Sequence, residues 1–112
     1  MSLQMTETMQ GPCVVLALAG RLDGLAAPEV EARVDRLAAA GNRRLVLDCA
    51  GLNYVSSAGL RAFLAAAKRM QVAGGRCAFA ALTPAVRELF QISGFASVME
   101  IHDTVAHACA QS

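Results

Sequence analysis

Apolar runs of strand length alternate with stretches whose apolar residues recur every three or four positions, and that alternation most narrows what this chain can fold into. Cys13–Ala19, Arg44–Cys49 and Arg76–Ala81 are rich in Val, Leu, Ala and Cys and short enough for buried strands. Between and after them, Val30, Val34, Leu37 and Ala38, then Leu60, Phe63, Leu64, Ala67 and Met70, then Val86, Leu89, Phe90 and Ser93 each fall on one side of a helix. Strand–helix–strand units of this kind specify an α/β fold with a mostly parallel sheet.

Local signals set the expected boundaries. Gln4–Gln10 alternates Met5, Glu7 and Met9 with Thr6, Thr8 and Gln10, a half-exposed strand, and Gly11-Pro12 turns it into an antiparallel neighbour. Gly20–Gly24 breaks the second strand. Pro28 opens the first helix, Glu29 and Glu31 complement its positive end, and Gly41-Asn42 stops it. Ala50–Ser56 reads as a loop and about Ser57–Ala73 as the second helix, ended by Gly74-Gly75. Thr83 caps a third helix that begins at Pro84 and ends at Gly94. Ser97–Ile101 reads as a last short strand, and Asp103 as the cap of a final helix that turns Val105, Ala108 and Cys109 inward. The expectation is a sheet of about five strands with about four helices, one domain over residues 1–112. Residues 1–4 read as a cloning remnant or disordered start, and the core spans about 5–110.

Composition excludes several classes. Hydrophobic residues make up 55% and charged residues 17%, which is incompatible with intrinsic disorder. The longest apolar run is seven residues, against about 20 for a spanning helix, and no basic segment precedes it as in a secretory leader. Net charge is +1, the basic residues are dispersed, aromatics are 4% and Trp is absent, so nucleic acid is not an expected partner. Cys13, Cys49, Cys77 and Cys109 form no CxxC pair and read as core cysteines of a reducing compartment, not as a zinc site. Neither a G-x-S-x-G elbow nor a G-x-x-x-x-G-K-[ST] phosphate loop occurs. His102 and His107, five apart, do not share a helix face and read as surface residues. No catalysis, cofactor or metal is expected.

The informative stretch is Asp48–Leu64, DCAGLNYVSSAGLRAFL. Ser56 and Ser57 stand where a helix begins and suit capping. Gly59 in the first helical turn is costly there, so either a partner or the sheet approaches the backbone at that point. Ala58, Ala62, Ala65 and Ala66, beside Arg61 and Arg69, make a small-residue face that admits a partner helix, although 23 alanines in the chain also allow plain filler. Asp23 either orients the serine or meets the partner, or caps the first helix.

With these residues in place, the chain resembles the STAS-domain proteins of the anti-sigma factor antagonist type over about residues 5–110. The resemblance rests on Gly20-Arg21-Leu22-Asp23, Ala27-Pro28-Glu29, Leu45-Val46-Leu47-Asp48, Val55-Ser56-Ser57-Ala58-Gly59-Leu60, Val86-Arg87-Glu88-Leu89-Phe90 and Ser93-Gly94-Phe95. It implies a STAS fold and a cytoplasmic protein that binds an anti-sigma factor serine kinase of the GHKL type, releases a sigma factor and is restored by a serine phosphatase. It implies phosphorylation of Ser57 and partner contacts at Asp23, Ser56, Ser57, Ala58, Gly59, Arg61, Ala62 and Ala65. In the family pattern D-S-[ST]-G, Ser56 stands in place of the Asp and Ala58 in place of the second hydroxyl residue. That departure leaves an alternative open: a subunit that binds the ATPase of a lipid-transporting ABC complex, or a stress-signalling scaffold, without phosphorylation.

Overall fold

A computed structural model describes residues 3–110. Five strands form one sheet in chain order: β1 (Leu3–Gln10), β2 (Cys13–Leu22), β3 (Arg44–Val55), β4 (Arg76–Ala80) and β5 (Glu100–His102). β1 runs antiparallel to β2, and the remaining pairs are parallel. The helices are α1 (Ala27–Ala39), α2 (Ser57–Val72), α3 (Pro84–Ser93) and α4 (Val105–Ala110). This is the α/β mixed sheet expected from the sequence. Residues 1 and 2 of the expected leading stretch lie outside the described residues, whereas Leu3 and Gln4 pair with Gly20 and Ala19.

The central strands read as unbroken apolar runs because both faces of the sheet are covered. Val14, Leu16, Leu18, Leu45, Leu47, Cys77 and Phe79 face the large core under α1, α2 and α3. Their alternates Cys13, Val15, Val46, Ala78 and Ala80 face Ala108 of α4. Phe63 of α2, Phe79 of β4 and Phe90 of α3 meet with ring centroids 5.0–5.9 Å apart and tie the two helices to the sheet. β1 is half-covered. Its Glu7 shares the α1 face and pairs with Arg33 at 2.8 Å and Arg36 at 2.9 Å.

Several boundaries, and one helix face, differ from the sequence reading. β2 continues through Gly20 to Leu22, and β3 through the expected loop to Val55, because two register shifts, between Ala17 and Ala19 and between Gly20 and Arg21, let the pair bulge and resume. The last strand is only Glu100–His102, since Gly94 (φ 81°) ends α3 in the left-handed conformation and a 3₁₀ turn, Phe95–Ser97, follows. Asp103 does not cap α4: the Thr104 hydroxyl accepts from His107 N–H at 3.0 Å, while Asp103 pairs with Arg87 at 3.1 Å. Leu64 is not in the core stripe of α2 but lies exposed.

Candidate functional site

The bulges carry β2 and β3 side by side to the same end of the sheet. The ladder runs one step past β3, where Ser56 N–H donates to Leu22 C=O at 2.9 Å. Asp23 and Ser57 each follow that bonded pair by one residue, so the loop after β2 and the start of α2 are neighbours.

The two serines do different work. Ser56 is extended (φ −83°, ψ 173°), and its hydroxyl accepts from Gly59 N–H at 3.1 Å, closing the N-terminus of α2. Ser57 is the first helical residue. It is exposed, and its hydroxyl has no hydrogen-bond partner among the described residues. A nucleophilic oxygen is thus presented at the positive end of a 16-residue helix and is not committed to holding that helix together.

Gly59 answers to the sheet. A Cβ there would lie 2.8 Å from the Leu22 carbonyl oxygen and 3.0 Å from Val55 Cγ1. Only glycine lets the first turn of α2 seat on the ends of β2 and β3. Ala62 is likewise fully buried. The expected surface role of these two residues is therefore corrected: they lie beneath the face and set its height. Ala66 is buried too, and Ala65 lies beside Glu31, Val34 and Asp35 of α1. The small residues of α2 admit α1, the protein's own helix, and Arg69 closes that seam with Asp35 at 3.3 Å.

What α2 turns to solvent is a stripe at positions i, i+4, i+7 and i+11: Ser57, Arg61, Leu64 and Lys68. Ala58 is half-buried beside it. α2 contains no Asp or Glu, and neither Arg61 nor Lys68 makes an ion pair among the described residues. Asp23 is engaged locally. One carboxylate oxygen accepts from Leu25 N–H at 3.1 Å and Ala26 N–H at 3.0 Å, fixing the turn before α1. That turn buries Ala26 and leaves Leu25 84% exposed. The outer stripe of α2 therefore combines a free hydroxyl, two unpaired cations and an outward leucine, and Leu25 stands exposed in the turn after β2.

Leu25 and Lys68 were not singled out from the sequence, and Leu64 was read as core; all three are exposed. Leu64 lies two helical turns from Ser57 and could have been found by counting from the serine. Leu25 is an apolar residue inside a turn with no periodicity to bury it.

The cysteines stand apart. Cys13, Cys49 and Cys77 are buried and all four are free. Burial, with Glu100 nearby, pushes the Cys77 thiol up to about 12, and burial with Asp48 and Cys77 raises Cys49 further. These thiols stay protonated and pack as small apolar groups. Among the described residues no helix is long and apolar enough to cross a membrane.

The STAS domain family model matches residues 4–108. BtrV of Bordetella bronchiseptica, whose name carries a proposed role as an anti-sigma factor antagonist, is 37% identical over 97 residues, covering 87% of this chain and 84% of that protein. An anti-sigma factor antagonist from Mycobacterium paratuberculosis superposes with a TM-score of 0.87 at 21% identity over 97% of this chain and 92% of its own. The anti-sigma factor antagonist SpoIIAA matches in its unphosphorylated form (TM-score 0.80, 24% identity, 95% and 93% coverage). SpoIIAA of Bacillus also matches in its phosphorylated form (TM-score 0.73, 23% identity, 96% and 98% coverage).

Proposed function

The chain belongs to the STAS domain family, in its anti-sigma factor antagonist branch, and from that premise we propose that it binds an anti-sigma factor through the outer stripe of α2 and is released by phosphorylation of Ser57. The partner in this reading is a GHKL-type serine kinase that also holds a sigma factor, and a serine phosphatase restores the binding form.

The observation that carries the reading is the division of labour between Ser56 and Ser57. Ser56 supplies the side-chain cap, so the Ser57 hydroxyl is available for transfer. A phosphoryl group adds a charge of about −1.5 to −2. At the first position of a helix, free N–H groups and the dipole favour an anion by ~0.3–1 kcal/mol. The folded chain therefore accepts the group, and SpoIIAA, which shares the fold, has been solved in both states. The complex does not accept it so easily. A partner with acids facing Arg61 and Lys68 meets the phosphate with like charge, and any partner seated on Leu64 has to strip its water.

Pull-down from the source cells with peptide mass spectrometry tests this directly. A GHKL-type kinase recovered with the unmodified chain, and phosphate on Ser57 in the partner-free fraction, is the expected result. Ser57→Asp is expected to keep its circular dichroism and melting temperature while losing the partner at least tenfold. An unfolded Ser57→Asp variant, or recovery of an ABC ATPase with unmodified Ser57, overturns the reading and returns Ser57 to a structural position.

A further inference from the structure

Away from α2, the chain brings its two histidines together. β5 ends at His102, Asp103 and Thr104 turn the chain, and the Thr104 cap starts α4 so that its first turn returns His107 toward the strand. The two Nδ1 atoms stand 2.8 Å apart, with ring centroids at 4.9 Å and planes at 59°. On its other side, His102 Nε2 lies 2.8 Å from a Glu100 carboxylate oxygen, and the second oxygen of Glu100 accepts from Arg76 at 2.8 Å. The His102 side chain is only 12% exposed.

When His102 is neutral, this chain of contacts sets its tautomer. An ionised carboxylate only accepts, so His102 Nε2 carries the hydrogen. The neutral ring then holds its lone pair on Nδ1, aimed at His107 Nδ1, which donates the proton between them. A nitrogen lone pair oriented by a carboxylate on the far side of the ring is how proteins prepare histidine for a metal.

We propose that His102 and His107 form a two-nitrogen site for a divalent, imidazole-preferring ion of the Zn²⁺ class, with Glu100 as the positioning carboxylate. Zn–N bonds are about 2.0–2.1 Å, so tetrahedral ligation needs the nitrogens about 3.3 Å apart, roughly half an ångström more than the shared proton requires. His107 is exposed and can give that distance. On binding, two N–Zn bonds form, and the Nδ1 proton of His107 passes through solvent to its Nε2, so both rings ligate as neutral imidazoles. No third His, Cys, Asp or Glu among the described residues closes around the ion, so water completes the shell. Imidazole ligands suit Zn²⁺, Cu²⁺ and Ni²⁺, not Mg²⁺ or Ca²⁺.

The test is a ZnCl₂ titration of the intact chain, ¹⁵N-labelled at histidine. Saturation at one equivalent is expected, with both Nδ1 resonances moving to the metal-bound position while both Nε2 remain protonated. His102→Gln and His107→Gln are expected to weaken binding at least tenfold. Glu100→Gln is expected to weaken it about 10–100-fold with the same two nitrogens still ligating. Unmoved Nδ1 resonances in the wild-type chain, or undiminished zinc binding in the double histidine variant, overturn the proposal; the second result would place the ion on a thiol such as that of half-exposed Cys109.

Discussion

Adjacent serines with the same chemistry have separate fates because one residue of helical geometry divides them. Ser56 has an extended backbone and turns its hydroxyl back to Gly59 N–H; Ser57, already helical, turns its hydroxyl outward. Ser56→Ala is therefore expected to cost ~1 kcal/mol in urea denaturation, and Ser57→Ala no more than a few tenths, like other surface changes. Equal costs would show that both serines hold the helix. The sequence showed that a cap belongs here. It did not separate the two serines, because both residue types suit the cap and the boundary depends on where β3 ends. Asp23 does not cap α1, as one reading of it expected; its carboxylate closes the turn before that helix.

Element existence and order were legible, since apolar periodicity survives without knowledge of the fold. Element ends were legible where one residue type dictates them, as at Thr83, Pro84 and Gly94. They were not legible at the bulges of β2 and β3, where an extra residue breaks the two-residue alternation and imitates a loop. The faces of α2 were misread for a related reason. A helix wedged between a sheet and another helix buries two sides, so alanines that suit an open face are spent against α1. Ala66→Leu is accordingly expected to destabilise the fold by ~1–3 kcal/mol through overpacking. Leu64→Ala, on the outer stripe, is expected to leave the melting temperature within a few degrees yet weaken partner capture. Calorimetry and pull-down read the two effects separately.

At the scale of the molecule, charge is near balance, with a net formal charge of +1, so its placement matters more than its sum. The acid-free solvent side of α2 predicts an association that weakens as salt rises, since exposed charges are screened within about 8 Å at physiological ionic strength. Arg61→Glu is expected to slow binding and flatten that salt dependence in surface plasmon resonance. At the β5 edge of the sheet, partial burial would raise the Glu100 carboxyl, but hydrogen bonds from His102 and Arg76 and the charges of both hold it below the usual range. A carboxyl held low in the folded state contributes stability fully present above its unfolded value, about 4.3, and lost as pH falls through the folded value. Glu100→Gln should therefore lower stability at pH 7 and make its decline below about pH 4.5 shallower than in the wild type, as measured by denaturation across pH.

Strand order and chain order coincide: β1, β2, β3, β4 and β5 lie in the sheet as they follow in the sequence. Each strand finds its pairing edge already made by the one before it, and no later strand has to be inserted between two earlier ones. A chain emerging from the ribosome can thus lay down its sheet one edge at a time, in synthesis order. The piece added last, β5 with α4, spans only three and six residues. Growth stops on an edge too short to invite another molecule to continue it.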